Sequence, residues 1–224
     1  MNDKAFRSFQ LKVLAIISIA IGPVVLIATT LIHRLPFPQS ISETATIAGR
    51  TDSLLPFALG ALALFSLAYS LRYAYMCLLD RFFTLCMTIG FTLIAFQPVM
   101  SEYILAEQVG VFGLNHQWTN IIHYVGAIIG FSSYIGWVLL CFKKSNLSYD
   151  EQTSEKRIRN DLYTSLGYGM FASLSFFVFD ILGLLGDNFP VIFWTEVFIL
   201  FFGGIACWVK AGGWLKDGAL KKTE

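Results

Sequence analysis

Two carboxylates inside apolar segments are the first residues of this chain that could take part in chemistry. Asp180 lies in the run FFVFDILGLLG, and Glu196 lies in the run VIFWTEVFILF. A charged group in a membrane-crossing segment costs at least ~2.5 kcal/mol, so it usually has a partner or a function. A short connection joins the two runs and predicts a tight helical hairpin. We therefore expect both carboxylates to lie at similar depth and to face the protein interior.

Three histidines fall at the same predicted end of the molecule. His33 ends the first apolar segment, and His116 and His123 lie at the start of the fourth. With Asn120 between them, the last two have the spacing that places side chains on one face, if the helix begins early. Zinc binds imidazole and carboxylate ligands and can activate water for hydrolysis. No cofactor is expected, but zinc on His33, His116 and His123 is an alternative.

The composition is typical of a membrane protein. The chain has 224 residues, of which 56% are hydrophobic and 14% charged, and its net charge is +1. Soluble domains carry about 25% charged residues and bury their apolar side chains in one compact core. A soluble fold of this size could not bury so much apolar surface. The near-neutral charge also gives no reason to expect a nucleic-acid partner.

Six apolar stretches are long enough to cross a bilayer as helices, which takes about 20 residues each. They are continuous, whereas a membrane β-barrel would show short alternating segments. The sequence thus predicts an all-α polytopic integral membrane protein, a six-transmembrane-helix bundle forming a single domain over residues 1–224, with the first stretch retained as a helix. The stretches are 11–32, 54–71, 82–100, 120–142, 162–185 and 191–209.

Basic residues predict the orientation of this bundle. Of the 16 Lys and Arg residues, all except Arg34 and Arg50 fall on the side that carries both termini. Basic residues accumulate on the cytoplasmic side, so we expect both termini in the cytoplasm and the bundle in the plasma (inner) membrane. Gly126 and Gly130, four residues apart, favour close helix packing, either inside the bundle or in a homodimer.

The first outer connection resembles a family motif. Residues 38–46 read PQSISETAT, similar to the P-x-I-S-[DE]-T-x-T stretch of the Frag/DRAM/Sfk membrane family. Arg72-Tyr73 matches an R-Y pair at the end of that family's second helix, and residues 123–127 (HYVGA) match its H-x-x-G-A. Related bacterial six-helix membrane proteins of unknown function fit nearly as well. The resemblance implies six helices, cytoplasmic termini and a role in lipid remodelling or in modulating a membrane process.

The same resemblance brings Ser42 and Glu43 over the outer end of the bundle, where they could meet His123 and either Asp180 or Glu196. A serine, a histidine and an acid can form an acyl-transfer site. They can equally form a structural clasp in which hydroxyls and carboxylates cap a loop. The clasp is the preferred interpretation.

The expected function is a lipid- or headgroup-interacting membrane protein with an outward-facing polar site and membrane lipids as partners. One alternative is a membrane-embedded lipid hydrolase or acyltransferase, and another is a proton-coupled small-molecule transporter, so catalysis stays an open question. Candidate catalytic residues are His123, Asp180, Glu196 and Ser42. Candidate binding residues are Ser42, Glu43, His116, Asn120, His123, Asp180 and Glu196.

Overall fold

The structure, a computed structural model, describes residues 3–27, 30, 41, 54–72, 78–97, 114–143, 150–185 and 190–214. This part of the chain is all-helical, as the long continuous apolar stretches predict. Its six helices are α1 (Asp3–Ile27), α2 (Leu54–Arg72), α3 (Leu78–Phe96), α4 (His116–Cys141), α5 (Ser154–Ile181) and α6 (Val191–Lys210).

Four of the helices could cross a membrane, judged by their length and composition. They are formed by Ala5–Ile27, Leu78–Phe96, Gln117–Cys141 and Val191–Lys210 within α1, α3, α4 and α6. In α2 the apolar part, Ala58–Leu71, is shorter. The predicted membrane protein with transmembrane helices is therefore supported by these four apolar helices.

Two helices begin earlier in the sequence than the predicted apolar stretches. A helix begins at its capping residue, which can lie in polar sequence before the apolar part. The helix α5 begins at Ser154, eight residues before the predicted 162, and the Thr153 hydroxyl accepts a hydrogen bond from the Lys156 backbone N–H at 3.3 Å. Likewise α4 begins at His116, where Asn115 caps it by accepting from the Trp118 N–H at 3.1 Å. Such caps begin a helix outside the apolar segment.

The helices form a closed ring in chain order. Each helix packs against the next, and α6 returns to pack against α1. The helix α4 also contacts α6 across the ring. It supplies the large, fully buried side chains of Tyr134 and Trp137. The Tyr134 ring lies against Gly203 of α6, where a larger residue would not fit. A central α4 thus connects both halves of the ring.

Glycines allow the backbones of α3 and α4 to approach each other closely. A Cβ added at Gly90 of α3 would overlap the Gly130 backbone of α4. A Cβ at Gly126 would come within 2.8 Å of the Leu93 Cβ. The Gly126 and Gly130 face therefore packs inside one chain, as the first of the two sequence interpretations has it. The homodimer through these glycines stays a prediction.

A row of aromatic side chains crosses the end of the bundle that carries the N-terminus. The ring centroids of Tyr69 and Trp137 lie 5.2 Å apart, those of Trp137 and Phe142 lie 4.7 Å apart, and those of Phe142 and Tyr163 lie 5.3 Å apart. The Trp137 indole N–H donates a hydrogen bond to the Asp80 carboxylate. These edge-to-face contacts join α2, α4 and α5.

Two cations stand at the ends of this row. The Arg7 guanidinium lies 5.4 Å from the Tyr69 ring. The Lys210 ammonium donates to the Phe142 carbonyl at 2.6 Å and lies 5.5 Å from the Phe142 ring and 5.7 Å from the Tyr163 ring. Because α4 ends at Cys141, this lysine satisfies a backbone carbonyl just beyond a helix C-terminus.

Candidate functional site

The opposite end of the bundle contains the buried carboxylate that the sequence singles out. Glu196 lies in the second turn of α6, and its side chain is 8% exposed. Its Oε2 accepts a hydrogen bond of 2.7 Å from the backbone N–H of Ile41. Ile41 is itself buried. Glu196 thus faces the interior, as expected, and connects α6 to the segment that precedes α2.

Tyr124 of α4 is a second polar residue near this end of the bundle. Tyr124 lies in the third turn of α4 and Glu196 in the second turn of α6, and these two helices contact each other. Tyr124 is 44% exposed, in contrast to the buried Glu196. The carboxylate is therefore enclosed by protein, whereas the Tyr124 side chain is partly accessible. Sequence reasoning missed Tyr124, although it follows His123 directly.

His123 occupies a separate, well-satisfied position nearby on α4. It is 2% exposed, and its Nδ1 lies 2.8 Å from the Gln97 carbonyl oxygen at the C-terminal end of α3. A carbonyl only accepts hydrogen bonds, so Nδ1 carries the proton and Nε2 has the lone pair when the ring is neutral. The histidine pairs with a carbonyl left over at a helix end. The predicted partner was an acid or the Ser42 loop, whereas the partner seen is this carbonyl.

The hydrogen bonds around Gln97 extend to the start of α4. The Gln97 side-chain amide donates to the Thr119 hydroxyl at 3.1 Å, and that hydroxyl donates to the Leu114 carbonyl at 3.2 Å. Gln97 and Thr119 are fully buried. This network joins the end of α3 to the start of α4 and orients His123. Its sequence signal is a glutamine directly before Pro98, where a helix is expected to end.

The other predicted residues divide into three groups. Asn120 is half-buried on α4, one turn before Tyr124, and the helix does begin early enough for His116, Asn120 and His123 to share a face. His116 and Asp180 belong to α4 and α5, but their side chains lie outside the described part of the structure. His33, Ser42 and Glu43 also lie outside the described residues.

Metal binding finds no support in the described part of the structure. Among those residues, no group of three or more His, Cys, Asp or Glu side chains could hold a metal ion. Two of the three histidines proposed for zinc have side chains outside that part. The third, His123, would have Nε2 to offer, because Nδ1 is bonded to the Gln97 carbonyl.

Comparison of the chain with protein-family models, with curated proteins and with solved structures gives no match. The arrangement of Glu196, Tyr124 and residue 41 must therefore be interpreted from its own chemistry.

Proposed function

We propose that this protein is a six-span membrane protein that binds a lipid headgroup carrying an ammonium or hydroxyl group at its outer end. The observation that carries the proposal is the buried Glu196 carboxylate, which accepts a hydrogen bond from the Ile41 backbone at the end of the bundle where the partly exposed Tyr124 also lies. An acid at this position in an apolar helix is expensive unless it has a partner or a function.

The Ile41 hydrogen bond gives Glu196 a structural role in the first connection. The bond holds Ile41, which directly precedes Ser42 and Glu43 in the sequence, next to the start of α6. This supports the clasp interpretation. A carboxylate can accept about four hydrogen bonds, and within the described part of the structure Glu196 accepts one, from the Ile41 N–H.

The remaining capacity of Glu196 suits a donor from outside the protein. A lipid ammonium or hydroxyl group could approach from the exposed side of Tyr124 and donate to the carboxylate, while the phenol ring offers its face to a cation. Ammonium and hydroxyl groups are the donors that common zwitterionic and sugar headgroups carry. The proposed ligand is therefore an amine- or hydroxyl-bearing headgroup of the outer leaflet.

In the proposed six-span arrangement, α2 and α5 cross the membrane in addition to the four apolar helices. With 28 residues, α5 has a length of about 42 Å, well above the ~30 Å hydrocarbon core. Along its length Tyr168, Phe171, Phe176 and Phe179 are all more than 40% exposed, as suits a lipid-facing side. These features support α5 as a membrane span, and the one-sided basic residues support cytoplasmic termini.

The topology has a direct test in a variant without native cysteines. We expect Asp187→Cys, in the fifth connection, to react with a membrane-impermeant maleimide on intact cells. Ser145→Cys, in the fourth connection, should react only after permeabilisation. The opposite pattern, or equal labelling at both positions, would contradict the proposed orientation.

Headgroup binding is tested by native mass spectrometry of the gently purified protein. Glu196→Gln removes the charge but keeps an oxygen that accepts the Ile41 N–H, whereas Glu196→Ala removes both. We expect the wild type to retain an amine- or hydroxyl-bearing lipid. The Gln variant should lose most of it at nearly unchanged thermal stability, and the Ala variant should lose lipid and stability together. A lipid pattern identical in all three proteins would overturn the proposal.

A lipid acyltransferase or hydrolase is the second candidate, favoured by the hydrogen bond that His123 makes to the Gln97 carbonyl. Its Nδ1 donates to a backbone carbonyl, and a base in a nucleophilic site is oriented in the same manner. The serine in this case is Ser42. A fluorophosphonate probe that labels wild type, but neither Ser42→Ala nor His123→Gln, would place this candidate first.

A further inference from the structure

A cation interrupts the apolar outer face of α1. Lys12 is exposed, and so are Phe9 and Ile16, which lie one turn before and one turn after it on the same face. The candidate membrane span within α1 begins at Ala5, so Lys12 lies about 10 Å along the helix from the start of the span. A charge at this depth, among side chains that face lipid, is unfavourable unless it reaches the membrane surface or meets an opposite charge.

The Lys12 ammonium has neither a hydrogen bond nor an ion pair with any residue that the structure describes. Arg7, the preceding basic residue of α1, differs because its guanidinium lies 5.4 Å from the Tyr69 ring. Side chains of a helix tilt toward its N-terminus, and a lysine near the end of a span extends its ammonium toward the nearer membrane surface. The Lys12 ammonium therefore extends toward the end of the bundle that carries the N-terminus, where the described part of the structure supplies no anion for it.

The packing of α1 against α6 brings Lys12 level with Trp208. Ser8 of α1 donates a hydrogen bond of 2.7 Å to the carbonyl of Ala211, directly after α6. Because contacts farther along α1 involve earlier residues of α6, the two helices are antiparallel. Lys12 is four residues beyond Ser8, and Trp208 is three residues before Ala211, so each lies about 5–6 Å deeper than this hydrogen bond.

Lys12 and Trp208 also lie on the faces by which the two helices meet. Ile19 packs against Gly204, where an added Cβ would come within 2.7 Å of the Ile19 Cγ1. Lys12 precedes Ile19 by seven residues, and Trp208 follows Gly204 by four, so each lies within about 40° of that contact around its own helix. Both side chains are exposed, so they stand at the outer edge of the α1–α6 contact.

The indole N–H of Trp208 is directed toward the same membrane surface. After α6 the chain turns at Gly212, whose φ is +76°, and the Gly213 N–H donates to the Trp208 carbonyl at 3.0 Å. A Cβ added at Gly213 would overlap the Trp208 Nε1, so the edge of the ring that carries the N–H lies beside residues beyond the helix end. Within the described part of the structure, this N–H has no hydrogen-bond acceptor. Tryptophan at a membrane boundary commonly directs its polar edge to the headgroup level in this manner.

The chemistry of these two side chains suits an anion. A cation and a neutral N–H donor at one level match a group with several acceptor oxygens, such as phosphate. The apolar side chains beside Lys12 suit the acyl chains of a lipid, whereas a free phosphate would gain nothing from them. A zwitterionic headgroup would bring its own ammonium close to Lys12, so a headgroup with a net negative charge should be preferred. Basic groups between membrane helices bind anionic lipids in the same way.

We propose that Lys12 and Trp208 form a binding site for the phosphate of an anionic phospholipid, at the outer edge of the α1–α6 contact. The lipid belongs to the leaflet at the end of the bundle that carries the N-terminus, and its acyl chains extend along Ile16 and the deeper part of α1. This site lies at the opposite end of the bundle from Glu196 and does not depend on the headgroup site there.

Native mass spectrometry of the full-length protein, titrated with phosphatidylmethanol or phosphatidylcholine, tests the proposal. The two lipids have the same acyl chains and phosphate, and phosphatidylmethanol has a net negative charge but no headgroup amine or hydroxyl that could donate to Glu196. We expect the wild type to bind phosphatidylmethanol at least fivefold more tightly than phosphatidylcholine. Lys12→Met should abolish this preference, Trp208→Phe should reduce it at least twofold, and Lys12→Arg should retain it.

Lys143→Met is the matched control, because Lys143 is also exposed but lies after the end of α4. It removes the same charge from the same end of the bundle and should leave the preference unchanged, as should Glu196→Gln. Without added lipid, Lys12→Met should melt no lower than the wild type, because a charge is removed from a lipid-facing side. Equal binding of both lipids by the wild type, or equal effects of Lys12→Met and Lys143→Met, would overturn the site. Displacement of phosphatidylmethanol by millimolar inorganic phosphate would contradict a lipid as its ligand.

Discussion

Replacing Gly90 by alanine gives the sharpest test of the helix packing. A Cβ at this position would overlap the backbone of Gly130, and it would also come within 2.7 Å of the Gly126 carbonyl oxygen. Neither obstacle is the flexible end of a side chain, so α3 and α4 must move apart. Overpacking of this kind typically costs 1–3 kcal/mol, against a gain of up to ~1 kcal/mol from the better helix propensity of alanine.

Because backbone atoms are the obstacle, we expect a net loss near the upper end of that range, about 2 kcal/mol. For a chain of this length this corresponds to a melting temperature lowered by roughly 4–8 °C. The assay is thermal unfolding in detergent, followed by tryptophan fluorescence. Gly60→Ala is the matched control, because a Cβ at Gly60 has nothing within 4 Å. It should leave the melting temperature unchanged or raise it.

Gly130→Ala refines the same test, since its Cβ would meet Phe91 at an ordinary 3.4 Å. We expect Gly130→Ala to lower the melting temperature much less than Gly90→Ala does. If the Gly90→Ala and Gly60→Ala variants have the same melting temperature, α3 and α4 do not approach each other closely at Gly90. A lower oligomeric state of Gly126→Ala, at unchanged melting temperature, would instead indicate that the glycine face serves a homodimer.

Three further substitutions address other contacts of the bundle by the same melting assay. Trp137→Phe should destabilise by ~2 kcal/mol, because it removes a hydrogen bond to the Asp80 carboxylate; an unchanged melting temperature would show that the bond contributes nothing. Lys210→Met keeps the aliphatic stem but removes the donor to the Phe142 carbonyl, and a loss of ~1 kcal/mol or more is expected. Stability equal to that of wild type would contradict this role. Thr195→Val breaks an interhelical hydrogen bond of 3.2 Å to the α5 backbone and should cost only ~0.6 kcal/mol; a loss above that of Trp137→Phe would contradict this ranking.

The helices could be predicted because a bilayer demands long apolar segments, and such segments are visible in the sequence. Their ends could not be read from apolar length, since Asn115 and Thr153 begin α4 and α5 in polar sequence. Capping residues were the available signal. The role of Gly90 depends on its partner helix, which single-sequence reasoning does not identify.

At the candidate site, the burial of Glu196 follows from the cost of an acid in an apolar helix. Its partner could not be predicted, because Ile41 contributes a backbone N–H that every residue except proline has. The same holds for His123, whose partner is the Gln97 carbonyl. Interactions with the backbone leave no residue-type signal, whereas the partly exposed Tyr124 would have been a reasonable candidate from its position beside His123.

Photo-crosslinking with a lipid that carries its reactive group on an ethanolamine headgroup tests headgroup binding most directly. The protein is reconstituted in vesicles containing this lipid, irradiated, digested and mapped. We predict crosslinks in the peptides that contain Tyr124 and Ile41, reduced at least fivefold by Glu196→Gln and unchanged by Ser173→Ala. Crosslinks confined to the outward faces of the helices, or equal in Glu196→Gln and wild type, would contradict a headgroup site at Glu196.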